Sequence, residues 1–300
     1  MNNAVVIDWL WIPVTLWAAF AQTVRNAAQR HLTAELGTLG ATLVRFLYGL
    51  PFAALWLLAV SFFTSAAVPA ANGTFLGWVA LGAVSQIGGT AFLLRTMQER
   101  NFALGVAYSK TEILQVAVFG LAFLGDPLGP ASIAAVTCGT LGVLLLSPAG
   151  WGGGWMSRSA LLGLASGAGF ALSAVGYRGA ALALEGTPFL MAAAATLLAA
   201  QILQTLLLGG WMAARDPASV LRVLRAWRAS LLAGFMGAAA SAGWLTAFAI
   251  EPVAHVRTLG LVELVFSYAV SRRLFREKLS RREFGGMALL ALGVMLVLQL

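Results

Sequence analysis

Apolar residues run along this chain in long unbroken blocks, separated by short clusters of arginine, glycine, proline and acid. Blocks of about 18–25 such residues are long enough to cross a hydrocarbon layer as helices. Ten are predicted: Asp8–Ala28, Leu36–Val60, Phe75–Met97, Phe102–Leu124, Pro130–Ser147, Ser159–Ala180, Pro188–Ala213, Ala229–Ile250, Val253–Phe275 and Arg282–Gln299. The blocks are continuous rather than alternating, which reads as helix and not strand. A helix also satisfies its own backbone in lipid. Turn signals fall between blocks at Asn72-Gly73, Asp126-Pro127 and Gly186-Thr187-Pro188, and Gly150–Gly154 reads as a joint near the middle.

The chain repeats itself. Glu112–Leu146 aligns with Glu263–Val297 without a gap, at the 151-residue separation of Glu112 and Glu263. Asp126 falls on Glu277, Leu128 on Leu279, Leu141 on Leu292 and Gly142 on Gly293. The offset is half the chain, as a duplicated membrane unit requires. Residues 1–150 and 151–300 are therefore expected to form two five-helix repeats. An odd number of helices per repeat starts the second on the opposite side of the membrane, which makes the topology inverted.

Composition agrees with lipid as solvent. Hydrophobic residues make up 60% of the chain and charged ones 10%, against about 25% charged in soluble domains. The mean hydropathy is +0.86. The net charge of +8 is spread between apolar runs rather than gathered in a patch, so it argues for topology and against nucleic acid. Fifteen of the 19 basic residues, Arg25 and Arg30 among them, fall in odd-numbered loops. Only Arg178 and Arg257 fall in even-numbered ones. The positive-inside rule then places the odd loops in the cytoplasm and both termini outside. Asp8 precedes the first apolar run and no basic leader does, so no cleaved signal peptide is expected. Cys138 is the one cysteine, which excludes an internal disulfide and a cysteine-pair metal site.

Polar residues inside such helices need partners or a wet cavity. In the first helix Thr15, Gln22, Asn26 and Gln29 form a stripe, with Trp11 a turn earlier. It reads as a cavity wall or as hydrogen bonding between helices. In the sixth, Ser166, Phe170, Ser173 and Tyr177 share a face, and Gly163, Gly167 and Gly169 read as a close-packing surface. In the fourth, Tyr108, Glu112 and Gln115 share a face. Lys110 lies two residues from Glu112, so on a regular helix the two point apart. Arg45 is then the candidate partner of Glu112. Either Lys110 or Glu112 contacts a substrate or carries a proton, or they belong to structural ion pairs. Glu263 is the repeat counterpart of Glu112, near His255 and Arg257. His255 is a candidate proton relay or an interfacial residue. Ser85, Gln86, Gly89 and Thr90 soften the third helix, and Ser241, Trp244 and Thr246 the eighth. Trp17, Trp78 and Trp244 are candidates for stacking a planar substrate, while most other tryptophans read as interfacial anchors. Arg222, Arg225 and Arg228 are spaced for a short basic amphipathic helix or serve as plain topology charge.

Three features together resemble the drug/metabolite transporter superfamily in its ten-helix EamA-type branch. They are Arg45-Phe46-Leu47-Tyr48, the Gly-Thr-Pro turn at 186–188, and the repeated endings. The endings are Gly-Asp-Pro-Leu at 125–128 and Arg-Glu-Lys-Leu at 276–279 followed by Gly285-Gly286 and Leu292-Gly293-Val294. Within that branch the chain looks most like the YddG-type exporters of aromatic amino acids. The family often has proline in its fourth and ninth helices, where this chain has Lys110–Glu112 and Leu261–Glu263. The resemblance implies a carrier in a bacterial-type inner membrane, with a central cavity between inverted halves and alternating access.

An exporter of small metabolites, amino acids among them, is thus the expected function, and a hydrophobic-cation exporter or a channel the alternative. No P-loop, His-Glu-x-x-His or adjacent acid pair occurs, so neither ATP hydrolysis nor metal-dependent enzyme chemistry is expected. No cofactor or metal is expected, the partners are lipid and a small molecule, and a monomer suffices because the duplication supplies both halves.

Overall fold

Twelve residues of straight helix span about 18 Å. Yet the Gln29 side chain donates to the carbonyl of Ala41 at 2.7 Å. The chain therefore folds back between them, and the reversal is at Gly37, whose φ of 68° and ψ of 176° suit glycine alone. Helix α1, Asn3–Leu47, is thus two arms joined at Gly37. In this computed structural model the described residues are 3–99, 129–146 and 158–274, with single positions 102, 106, 109, 110, 112, 113, 115, 119, 281, 285, 286, 288, 289 and 292.

The remaining helices are α2 (Leu50–Thr64), α3 (Gly73–Glu99), α4 (Pro130–Leu146), α5 (Arg158–Leu182) and α6 (Phe189–Gln204). A π-turn over Thr205–Gly209 continues α6 into α7 (Gly210–Arg215). Then come α8 (Pro217–Arg225), α9 (Trp227–Ile250), α10 (Val253–Leu259) and α11 (Val262–Arg273). All regular structure among the described residues is helical.

Local chemistry sets the ends. Asn72 accepts from the Phe75 amide at 2.7 Å, starting α3, and its own amide donates to Ala183 O at 2.9 Å. Gly186, at φ 73°, turns the chain into Pro188 at the head of α6. Arg178 on α5 donates to Phe248 O at 2.6 Å and Glu251 O at 3.0 Å, satisfying carbonyls at the end of α9. Asp216 caps α8 by accepting from the Ser219 amide, with Pro217 at the first helical position. The Ser219 hydroxyl and amide hold the Asp216 carboxyl below its ordinary range. The capping charge is therefore present at neutral pH and is lost as pH falls through that lowered value. Helix α8 carries Arg222 and Arg225 on its exposed surface, as the arginine spacing predicts, while Arg228 belongs to α9.

Five apolar segments among the described residues are long enough to cross a bilayer: Trp9–Thr64, Gly73–Glu99, Phe189–Arg215, Trp227–Ile250 and Val253–Arg273. Phe62 and Phe63 are 80% and 82% exposed, whereas Arg25, Arg45, Lys110, Glu112, Arg257 and Glu263 are buried. That is the reverse of a water-soluble surface. The chain is a helical, multi-pass membrane protein.

Two helix pairings are the most extensive, α3 with α5 and α1 with α9. Backbone touches backbone in the first. A Cβ added to Gly169 would lie 2.8 Å from Gly89 backbone, and one added to Gly176 would lie 2.8 Å from Gly82 backbone. In α1–α9, a Cβ on Gly243 would meet the Ala18 Cβ at 2.8 Å. Lipid supplies no hydrophobic force between helices, so close van der Waals packing through small residues takes its place.

Several predicted boundaries move. The first helix continues past Ala28 to Gly37, so Arg25 and Arg30 lie within helix rather than in a loop. The second is broken at Tyr48-Gly49, where a Cβ on Gly49 would meet Arg45 O at 2.5 Å. The ninth is broken between Leu259 and Val262. The Asp126-Pro127 turn and the 150–154 joint lie outside the described residues, as does most of the predicted tenth helix.

The α3–α5 seam leaves no room for a methyl group. Gly169→Val is expected to lower stability in detergent by about 3 kcal/mol through forced separation of the two helices. Gly77→Ala, whose Cβ would meet nothing within 4 Å, is expected to hold or slightly raise the melting temperature. Thermal unfolding followed by fluorescence measures both.

Candidate functional site

Four cations and two carboxylates are buried together among the described residues: Arg25, Arg45, Lys110 and Arg257 against Glu112 and Glu263. Burying an ion costs several kcal/mol unless partners replace its water, so each contact here has a use.

Lys110 stands between the two acids. Its ammonium donates to Glu263 at 2.5 Å and lies 3.4 Å from Glu112. A regular helix would have pointed Lys110 and Glu112 apart. The helix is not regular there: Lys110 occupies a turn, and the Ile113 amide reaches back three residues to Lys110 O at 3.2 Å. The same turn recurs 151 residues later, where the Leu264 amide donates to Leu261 O at 2.9 Å. Both acids sit just after a break, at matching places.

The rest of the ring follows from Glu263. Gln22 donates to its Oε2 at 2.6 Å and Asn26 to its Oε1 at 3.0 Å, so the α1 stripe serves this carboxylate. Trp244 donates from its indole to Gln22 Oε1 at 2.9 Å. The Arg257 guanidinium lies 4.7 Å from the Trp244 ring and 5.1 Å from that of Phe248. Such desolvated cation–π contacts are worth about 2 kcal/mol. Arg257 closes the ring at 3.6 Å from Glu112 Oε1. Glu112 Oε2 and Arg257 Nε have no hydrogen-bond partner among the described residues.

Arg45 does not pair with Glu112. It donates to Thr90 at 2.9 Å and approaches Ser241 at 3.5 Å, joining α3 and α9. Glu112 takes Lys110 and Arg257 instead, because the break at Lys110 turns both side chains inward. Arg25 donates to Asn26 Oδ1 at 2.7 Å and 3.3 Å. Neither Arg25 nor Arg257 is a loop charge, as the arginine count had them. The signal for Arg25 was its place in the α1 stripe, three residues after Gln22 and one before Asn26.

The other candidates lie elsewhere. Tyr177 donates to Gln86 at 3.0 Å, and Gln204 donates to Gln86 at 2.8 Å and to the Tyr177 hydroxyl at 3.0 Å, pinning α3, α5 and α6 together. Ser173 bonds within its own helix, to Phe170 O at 3.0 Å. Gln29 serves the α1 reversal. Thr15 is buried with its hydroxyl unpartnered among the described residues. Trp78 packs flat beside Gly179. Trp17 is half exposed and lines an outer apolar groove of about 620 Å³ with Phe52, Trp56 and Phe235, away from the charged ring. His255 contacts Glu251 at 2.5 Å at the α9–α10 junction. Tyr108 lies outside the described residues. Among the described residues no group of acids, histidines and cysteine could hold a metal.

The arrangement offers acceptors for an ammonium, guanidinium forks for an oxyanion, and the flat faces of Trp244 and Phe248 for an apolar body.

No family model matches the chain, and no curated protein does. Among solved structures 27 chains match. One, titled only as the crystal structure of a protein, is 17% identical, with a TM-score of 0.66, and the match covers 95% of each chain. At that identity the likeness establishes a shared fold along nearly the whole length, and nothing of activity.

Proposed function

We propose that the chain is a secondary transporter that exports small metabolites, amino acids including aromatic ones among them, by alternating access between two inverted five-helix repeats. The observation that carries this reading is the meeting of Glu112 and Glu263 through Lys110, each acid two residues past the turn at a helix break. Discontinuous helices at the junction of two repeats are where carriers place their substrates. The helix pairings fit the same reading. Gly243 meets Ala18, while Gly169, 151 residues after Ala18, meets Gly89. Exchanging the two halves therefore exchanges α1–α9 with α5–α3.

The resemblance to the EamA-type drug/metabolite transporters adds the inner-membrane location and the direction of transport. The arginine bias adds termini on the outer side. The hydrophobic-cation alternative fits less well, because such a cargo must displace Lys110 from both carboxylates with nothing to receive it.

Uptake of labelled phenylalanine into proteoliposomes is expected to saturate and to be stimulated by an internal unlabelled pool. Glu263→Gln, which removes the anchor of Lys110, Gln22 and Asn26, is expected to lower exchange at least about tenfold. Conductance without saturation would make the protein a channel. A folded protein that moves no amino acid would end the amino-acid assignment.

Lys110→Ala is expected to abolish amino-acid exchange and, by leaving the Glu263 carboxylate without its cation while Glu112 keeps Arg257, to cost about 3–5 kcal/mol of stability. Adding Glu263→Gln to it is expected to restore much of the stability but none of the transport. Melting temperatures and exchange rates on the same preparations check both. Unimpaired exchange in Lys110→Ala would remove this residue from the site.

A further inference from the structure

The charges in the core do not balance, and the excess is in one place. Lys110 and Arg257 occupy the two carboxylates, Glu263 and Glu112. Arg25 and Arg45 remain, wholly buried, with neutral partners only among the described residues: Asn26 for Arg25, Thr90 and Ser241 for Arg45. They come from the two arms of α1, which the reversal at Gly37 lays together. Both stems cross α9 at one point. A Cβ on Gly237 would lie 3.2 Å from Arg45 Cγ and 3.4 Å from Arg25 Cδ. Arg25 Nη1 has no hydrogen-bond partner among the described residues. Two like charges side by side in a dry core repel strongly, and the alternative to an outside counter-ion is a large standing cost.

We propose that Arg25 and Arg45 form an oxyanion subsite that receives the carboxylate of the carried molecule. This rests on the carrier reading and gives it a polarity. A carboxylate fits the guanidinium fork in two parallel hydrogen bonds, and a phosphate monoester offers the same chemistry. Asn26 alone separates the Arg25 guanidinium from the Glu263 carboxylate, accepting from the one and donating to the other. The charges of an α-amino acid stand similarly close, so its carboxylate rests on the arginines while its ammonium faces Glu263. Lys110 is then the internal stand-in for that ammonium, and no carboxylate is assigned to it.

Binding in detergent tests the subsite without requiring transport. The probes are phenylalanine, phenylpyruvate (no ammonium), phenethylamine (no carboxylate) and phenyl phosphate, and the readout is the melting temperature. Phenylalanine and phenylpyruvate are expected to raise it and phenethylamine to leave it unchanged. Phenyl phosphate stabilising more than phenylpyruvate would identify an organophosphate as the source of the oxyanion. Arg45→Gln removes one of two repelling charges. It is expected to raise the ligand-free melting temperature by roughly 3 °C or more and to abolish the rise with phenylpyruvate. A purely structural Arg45 would lower that temperature instead.

Arg25→Lys keeps the charge and loses the fork. It is expected to weaken phenylpyruvate roughly tenfold or more at an unchanged ligand-free melting temperature, and it serves if Arg45→Gln does not fold. Stabilisation by phenethylamine equal to that by phenylalanine would overturn the subsite, as would phenylpyruvate affinity within about twofold of wild type in both variants. Oxyanion binding without any counterflow would leave the subsite and remove the carrier. Phenylalanine exchange undiminished in both variants would do the reverse.

Discussion

A lysine held between two carboxylates, out of water, is the contact on which the rest of this structure turns. Lys110 reaches Glu263 at 2.5 Å and Glu112 at 3.4 Å, and those acids come from segments 151 residues apart. Bringing them together requires two helix breaks. The breaks free backbone groups, which is tolerable in a membrane only where other protein surrounds them. Around the acids the chain therefore assembles α1, α9, α10 and α11, with Gln22, Asn26, Trp244 and Arg257 completing the ring. Removing any one member leaves a neighbour without its replacement for water.

The outer architecture follows from the same solvent. With leucine and phenylalanine content to remain in lipid, apolar burial does not by itself choose which helices meet. Shape and hydrogen bonds choose. Glycines let α3 approach α5, and Ala18 lets α9 approach α1. Tyr177, Gln86 and Gln204 tie three helices by one knot of hydrogen bonds. Arg45, reaching Thr90 and Ser241, links the two close pairs to each other.

Much of this could be read in advance, and what escaped has a common cause. Apolar block length predicted ten spans and marked the five long apolar segments seen among the described residues, Asn72 and Gly186 marked helix entries, and the polar stripe of Gln22 and Asn26 marked a buried face. The matching of Glu112 with Glu263 singled out two acids that the structure brings to one lysine. What could not be read was backbone departure from the ideal helix. A regular helix separates Lys110 from Glu112, and only the turn at Lys110 unites them. Gly37 looks like any other glycine until Gln29 is seen bonded to Ala41. Counting Arg25 with the loop charges came from treating the last turn before Ala28 as a helix end, whereas the helix runs on to Leu36, before Gly37. Composition cannot distinguish an arginine that sets topology from one that is buried, because both stand among apolar neighbours.

The glycine contacts between α3 and α5 also govern movement. Gly82 faces Gly176 and Gly89 faces Gly169, so the close points are seven residues apart on each helix. Seven residues of helix rise about 10.5 Å. A slide of one helix along the other by any smaller step drives a side chain into a backbone. Pivoting about the glycines meets no such obstacle. The seam therefore resists sliding of one helix along the other and leaves pivoting about the glycines as the less obstructed movement.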